Sequence, residues 1–183
     1  SNSVCEPAHR MPHLLRKDAR RPGAKAPADI GGRGGGIAAA EADASEVIDL
    51  EGSLLTPALV EPHIPLDAVL TVGEPRHNQT GSLFEGIEIW GERVKTLTVE
   101  DVKKRALTVL RWQLANGVQH VRSHVHVCDP ETRAVRGMLE AREAVGGRVS
   151  VRLVAFAPQG LLPLDGVGDP MRKASHPRLR VVA

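Results

Sequence analysis

Aromatic residues are nearly absent: among 183 residues there are two Phe, two Trp and no Tyr. A core without rings has to be built from Val, Leu and Ala, which suits parallel strands covered by helices and points to an α/β fold. Cysteine is as scarce. Cys5 and Cys128 stand far apart in unlike surroundings, which argues against a disulfide framework and favours a reducing compartment. No run approaches the roughly 20 apolar residues of a membrane span. The N-terminus has no apolar stretch of the secretory kind, so the expected location is cytoplasmic. A net charge of one sign is also missing: 24 basic and 22 acidic residues leave +2, too balanced for a chain that as a whole binds nucleic acid or a membrane.

What is present divides unevenly. Residues 1–36 carry Arg10, Arg16, Lys17, Arg20, Arg21, Lys25 and Arg33 with several prolines and the run Gly31, Gly32, Gly34, Gly35, Gly36. This composition predicts a mobile basic arm, because it has too little apolar surface to offset the entropy of ordering. No aromatic is interleaved to stack on bases, so a solvated tail is preferred to a nucleic-acid arm. The glycine run lacks the Lys-Ser/Thr ending of a phosphate cradle and reads as a loop. Residues 37–55 alternate short apolar pieces, Ile37 to Ala40 and Val47 to Leu50, with acids, and predict a small β layer of the sandwich kind.

The stretch Leu54 to Asp67, LLTPALVEPHIPLD, predicts a strand entering the core and emerging at a reactive edge, with an acid–His pair buried at its C-terminal end. After an irregular segment, Leu83, Phe84, Ile87, Ile89 and Trp90 interleave with Glu85, Glu88 and Glu92 as in a helix over a cleft. Thr98 caps the clearest helix, whose stripe is Val102, Ala106, Val109, Leu110 and Leu114, and Gly117 ends it. Val118 to Val127 alternates as a strand with Val118, His120, Arg122, His124 and His126 on one face. A second helix, Thr132 to Val145, buries Val135, Met138, Leu139 and Ala141 and stops at Gly146-Gly147; a strand follows from Val149 to Phe156. Strand, helix, strand, helix, strand with short links requires parallel strands. Residues 163–183 show no periodicity and read as an irregular tail.

The residues able to do chemistry are His63, with Glu61 and Asp67 near it, and the pair His124 and His126. A His-x-His at a strand end can offer two imidazoles to one divalent ion, yet a working site needs about three protein ligands and an open position for water. Packed or hydrogen-bonded histidines are the other reading of that pair.

Three segments in order, Val60-Glu61-Pro62-His63-Ile64 with Leu66-Asp67, Asn78 to Glu88 (NQTGSLFEGIE), and Trp112-Gln113 through Asn116-Gly117-Val118-Gln119-His120-Val121-Arg122, resemble the bacterial cytosine deaminases of the amidohydrolase superfamily. The likeness runs from about Ile37 to Leu162. It implies a (β/α)8 TIM-type barrel, of which residues 56–162 would supply the first three or so βα units, preceded by the small β layer. It also implies one divalent iron or zinc ion and hydrolytic loss of ammonia from a pyrimidine or related cyclic amidine, the ion lowering the pKa of a bound water. In that family both histidines of a first-strand His-x-His bind the metal. Here the first falls on His63, and Pro65 replaces the second. The family's substrate-facing leucine falls on Leu83, and its substrate-amide glutamine falls on Gln159 after a one-residue shift. A full barrel takes roughly 200 to 400 residues, and only about 120 remain here after the arm and β layer. The expectation is therefore the N-terminal part of a deaminase with an incomplete site, no catalytic residue of its own, and a cytosine-like small molecule as substrate. The alternative is an inactive structural module that self-associates into a homo-oligomer.

Overall fold

A computed structural model describes residues 14–33, 36–40, 44–156 and 180–181. The chain divides into two compact units, Ser1–Pro57 and Ala58–Ala183.

The first unit holds a four-stranded sheet: β1 (Leu14–Ala19), β2 (Ala28–Arg33), β3 (Gly36–Ala38) and β4 (Glu46–Asp49), in the order β3-β2-β1-β4. β1 pairs antiparallel with β2 and parallel with β4. The mobile arm expected over residues 1–36 is thus corrected over its described part, where β1 and β2 form the middle of the sheet. Composition misled because a backbone ladder needs few apolar side chains, and here the buried ones are Leu15 and Ala19. Gly31 and Gly32, read as loop, lie in β2. A Cβ on Gly31 would run into the Ala39 carbonyl, so the glycine permits a close backbone approach.

The second unit carries a sheet of β5 (Leu59–Ile64), β6 (Val118–His126), β7 (Ser150–Phe156) and β8 (Arg180–Val181), in sequence order and parallel throughout. Helices α1 (Leu83–Val94) and α2 (Val99–Ala115) connect β5 to β6, and α3 (Arg133–Ala144) connects β6 to β7. The irregular reading of the tail is corrected at Arg180 and Val181, which pair with Val154 and Ala155. Two residues are too few to leave a periodic signal.

The helix boundaries follow the local chemistry. Ser82 caps α1 by accepting from the Glu85 N–H, and Thr98 caps α2 by accepting from the Asp101 N–H at 3.1 Å. Gly117 leaves α2 at φ +83, the left-handed turn that favours glycine. At α3 the side chain of Thr132, which precedes the helix, makes no capping bond; Asp129 Oδ2 accepts from the Arg133 N–H instead, at 2.9 Å. The core lies between sheet and helices, where Val102, Ala106 and Leu110 of α2 and Ala134, Met138 and Ala141 of α3 meet Val121, Val125 and Leu153. Fully burying a side chain of the Val, Leu or Met kind contributes roughly 1.5–3 kcal/mol, so this layer fixes the sheet on which the histidines stand.

Candidate functional site

Alternation along β6 sends Val121, Ser123 and Val125 into the helical core and leaves His120 and Arg122 exposed on the opposite face. His124 follows on that face, half-buried, and His126 is buried at 8% exposure. The neighbouring β5 is largely exposed, with Leu59 at 54% and Val60 at 63%. The expected entry of Leu54 to Asp67 into the core is therefore corrected. The strand spans only Leu59–Ile64, at the sheet edge, while Leu54 pairs singly with Arg20 in the first unit.

The acid–His pair expected to be buried together is split. His63 is exposed, and its backbone N–H donates to Glu61 Oε1 at 2.9 Å. Asp67 is 1% exposed and accepts the His126 N–H on Oδ2 at 2.8 Å. Arg105 steadies the same corner, donating through one guanidinium nitrogen to the Asp67 and Val69 carbonyls at 2.8 and 2.6 Å. Burial pushes the Asp67 carboxyl up to about 6, against the lowering effects of its backbone donors and Arg105. Ser123 Oγ accepts from the Leu66 N–H at 3.1 Å, and Arg122 Nε donates to the Pro62 carbonyl at 2.8 Å. The end of β5 is thus tied to β6 at three points.

Those ties bring the His63 ring over His124. Their centroids lie 4.0 Å apart with planes 26° from parallel. His124 also meets Phe156 edge-on at 6.4 Å, while His126 meets Trp90 edge-on at 6.0 Å. Burial lowers the pKa of both His124 and His126; His63 and Arg122 add to the effect on His124, and Asp129 opposes it on His126. Nδ1 of each is buried with no hydrogen-bond partner among the described residues. Sequence reasoning placed His124 and His126 on one face but missed the stacking of His124 on His63. It depends on the register that sets Ile64 beside Ser123, with an irregularity after Glu61, and parallel register leaves no short-range trace in a sequence.

Leu83 stands in the first turn of α1 at 75% exposure, beside Phe84 at 83%. The turn before it is heavily bonded: Asn78 accepts from the Gly81 N–H, and Glu85 accepts from the Thr80 N–H and hydroxyl. Thr80 does most to hold the Glu85 carboxyl down, at about 2. Arg76, overlooked in the sequence, gathers Glu85, Glu88 and Glu92 along one side of α1. Gln159 lies outside the described residues.

Donors for a metal are few. Pro65 offers no side-chain donor beside His63, and no group of three or more His, Cys, Asp or Glu able to hold an ion gathers among the described residues. This donor set does not fit a catalytic ion needing three protein ligands.

No protein-family model matches the chain. Over 129 residues, 66% of this chain, it is 29% identical to N-isopropylammelide isopropyl amidohydrolase of Pseudomonas sp. (strain ADP), covering 31% of that protein. Among solved structures it is similar to 5-methylcytosine deaminase from Klebsiella pneumoniae liganded with 5-fluorocytosine, with TM-score 0.76 and 33% identity over 88% of this chain and 40% of that one. It is also similar to N-isopropylammelide isopropylaminohydrolase from Burkholderia multivorans ATCC 17616, with TM-score 0.74 and 28% identity over 90% of this chain and 42% of that one. The chain thus spans well under half the length of each of these relatives.

Proposed function

The homologues of this chain are enzymes of the amidohydrolase superfamily, matched over their N-terminal portion, and from them we propose that it derives from a cytosine-deaminase-like, metal-dependent hydrolase and supplies only part of that enzyme's site. In this reading the parallel β5 to β8 sheet corresponds to the first strands of a (β/α)8 barrel. The reaction is hydrolytic removal of an amine from a cytosine-like pyrimidine or related cyclic amidine. Iron or zinc, when bound in such an enzyme, activates the water. His63 is the one inherited ligand, and Leu83 and Gln159 stand at positions that face the substrate.

The observation that carries the reading is Pro65. The His63 ring is present at the end of β5, but two residues on the chain has a side chain without a lone pair. With no third donor gathered among the described residues, no step of hydrolysis is routed through a metal here. What the chain's own residues do is structural: Asp67, Arg105 and Ser123 hold the end of β5 against β6. The chain by itself is therefore inactive. Incubated with cytosine and added Fe²⁺ or Zn²⁺, the purified protein is expected to release no ammonia above the uncatalysed rate. Turnover that disappears in His63→Ala would refute the reading. A second reading, a self-associating module, draws on the exposed apolar residues of β5.

A further inference from the structure

Helices α2 and α3 of the second unit lie side by side but are unequal, 17 residues against 12. They are level with each other where Gly137 sits against Val102 and Lys103 Nζ donates to Glu140 Oε2 at 3.1 Å. Counted from there, α2 continues about six residues beyond the end of α3, roughly 9 Å of helix that α3 does not cover. We propose that the notch at this overhang binds a single-chain amphiphile with an anionic head, a fatty carboxylate. It lies where β6 and β7 begin, at the opposite end of the sheet from the histidines, and does not depend on the chain being a hydrolase.

Leu107, Leu110 and Leu114 stand at the spacing of one helical stripe and form the wall on α2. Val145 and Val149, just past the end of α3, close the other side. The space between them is about 430 Å³, counting the part open to solvent, within the roughly 300–1,000 Å³ of small-ligand sites. An overhang of about six residues is less than two helical turns, too short to seat a partner helix but long enough for an alkyl chain. Arg111 and Arg148 stand at the rim, both exposed, and no carboxylate lines the notch. Neither guanidinium is paired among the described residues. Two helix C-termini lie at this end, and their partial negative charge is one thing the arginines offset. That role leaves their donors free, because the Leu114 carbonyl already accepts the Gly117 N–H at 3.0 Å and the Val145 carbonyl the Arg148 N–H at 3.1 Å. Apolar walls with two free guanidiniums at the mouth complement a molecule that is hydrocarbon along its length and anionic at one end. A neutral alkyl chain would leave the arginines unused, and a short carboxylate would leave the leucines bare.

The test is calorimetric titration of the 183-residue protein with decanoate below its micelle concentration, with butyrate and decanol as contrasts, beside methyl NMR of the leucines. One decanoate per chain is expected to bind saturably and to shift the methyls of Leu107, Leu110 and Leu114. Butyrate should give no saturable heat, and decanol should bind more weakly. Arg111→Gln and Arg148→Gln should each weaken decanoate binding by roughly tenfold. Both side chains are exposed, so each variant should fold as the wild type does, which circular dichroism checks. Arginines that serve only the helix ends would lower the unfolding midpoint in these variants and leave decanoate affinity unchanged, and that result would overturn the proposal. So would methyl shifts confined to Leu59 and Leu83, or notch methyls that move with protein concentration and not with decanoate, the mark of a second copy in the notch.

Discussion

Asp67 holds a carboxylate in a place that disfavours its charge, and the sign of the resulting pH dependence can be worked out. Its folded-state pKa, about 6, lies above the ordinary 3.8, so between those values the folded chain binds the proton more tightly than the unfolded one. Its contribution to stability is therefore fully present below pH 3.8 and is lost as pH rises to about 6. A shift of roughly two units corresponds to about 3 kcal/mol. Asp67→Asn keeps an acceptor for the His126 N–H and removes the charge. Wild type is thus expected to lose about that much stability relative to Asp67→Asn between pH 4 and pH 7, read from urea unfolding of both proteins. A difference that stays flat with pH would show that the carboxyl is solvated in solution. The apolar neighbours of Asp67 in the sequence announced that something near His63 is buried, but could not say that the acid goes in while the histidine stays out. That division follows from β6, whose His126 N–H gives the acid its partner 59 residues away.

The helices were the most legible elements, since caps and apolar stripes are local. Thr98 and Gly117 each do in space what the side chain, or lack of one, implies in sequence. The contact between α2 and α3 was not legible. Gly137, mid-helix in α3, looks like a defect that alanine would repair by about 1 kcal/mol. Yet a Cβ there would lie 2.7 Å from Val102 Cβ and 2.8 Å from the Val99 carbonyl of α2. Overpacking of that kind costs about 1–3 kcal/mol, which outweighs the propensity gain. Gly137→Ala is expected to lower the midpoint of thermal unfolding. Gly91→Ala, at a position in α1 where an added Cβ meets nothing within 4 Å, is expected to raise it by the propensity term alone. If both variants stabilise equally, α2 and α3 pack more loosely than those distances require.

Across the molecule, composition proved a poor guide to the first unit and a good one to the second. Scarce rings and abundant Val, Leu and Ala correctly pointed to parallel strands under helices, because such a core is made of branched aliphatic side chains. The same logic failed for β1 and β2, whose ladder is held by backbone groups that every sequence has. The β5 edge remains the most consequential feature of the second unit. Among the described residues it is a strand at the border of a parallel sheet, with Leu59, Val60 and, on helix α1, Leu83 and Phe84 exposed. Unpaired edges with apolar side chains recruit further strands unless a charge or a cover blocks them. The purified chain should therefore run above its 19.6 kDa monomer mass in light scattering, with the excess growing with concentration. Val60→Lys places a charge on that edge, at a side chain already 63% exposed, so the fold should tolerate it while association falls. A wild-type chain that stays monomeric at all concentrations would mean that the edge is too short or too twisted to pair. Association unchanged in Val60→Lys would move the contact off β5.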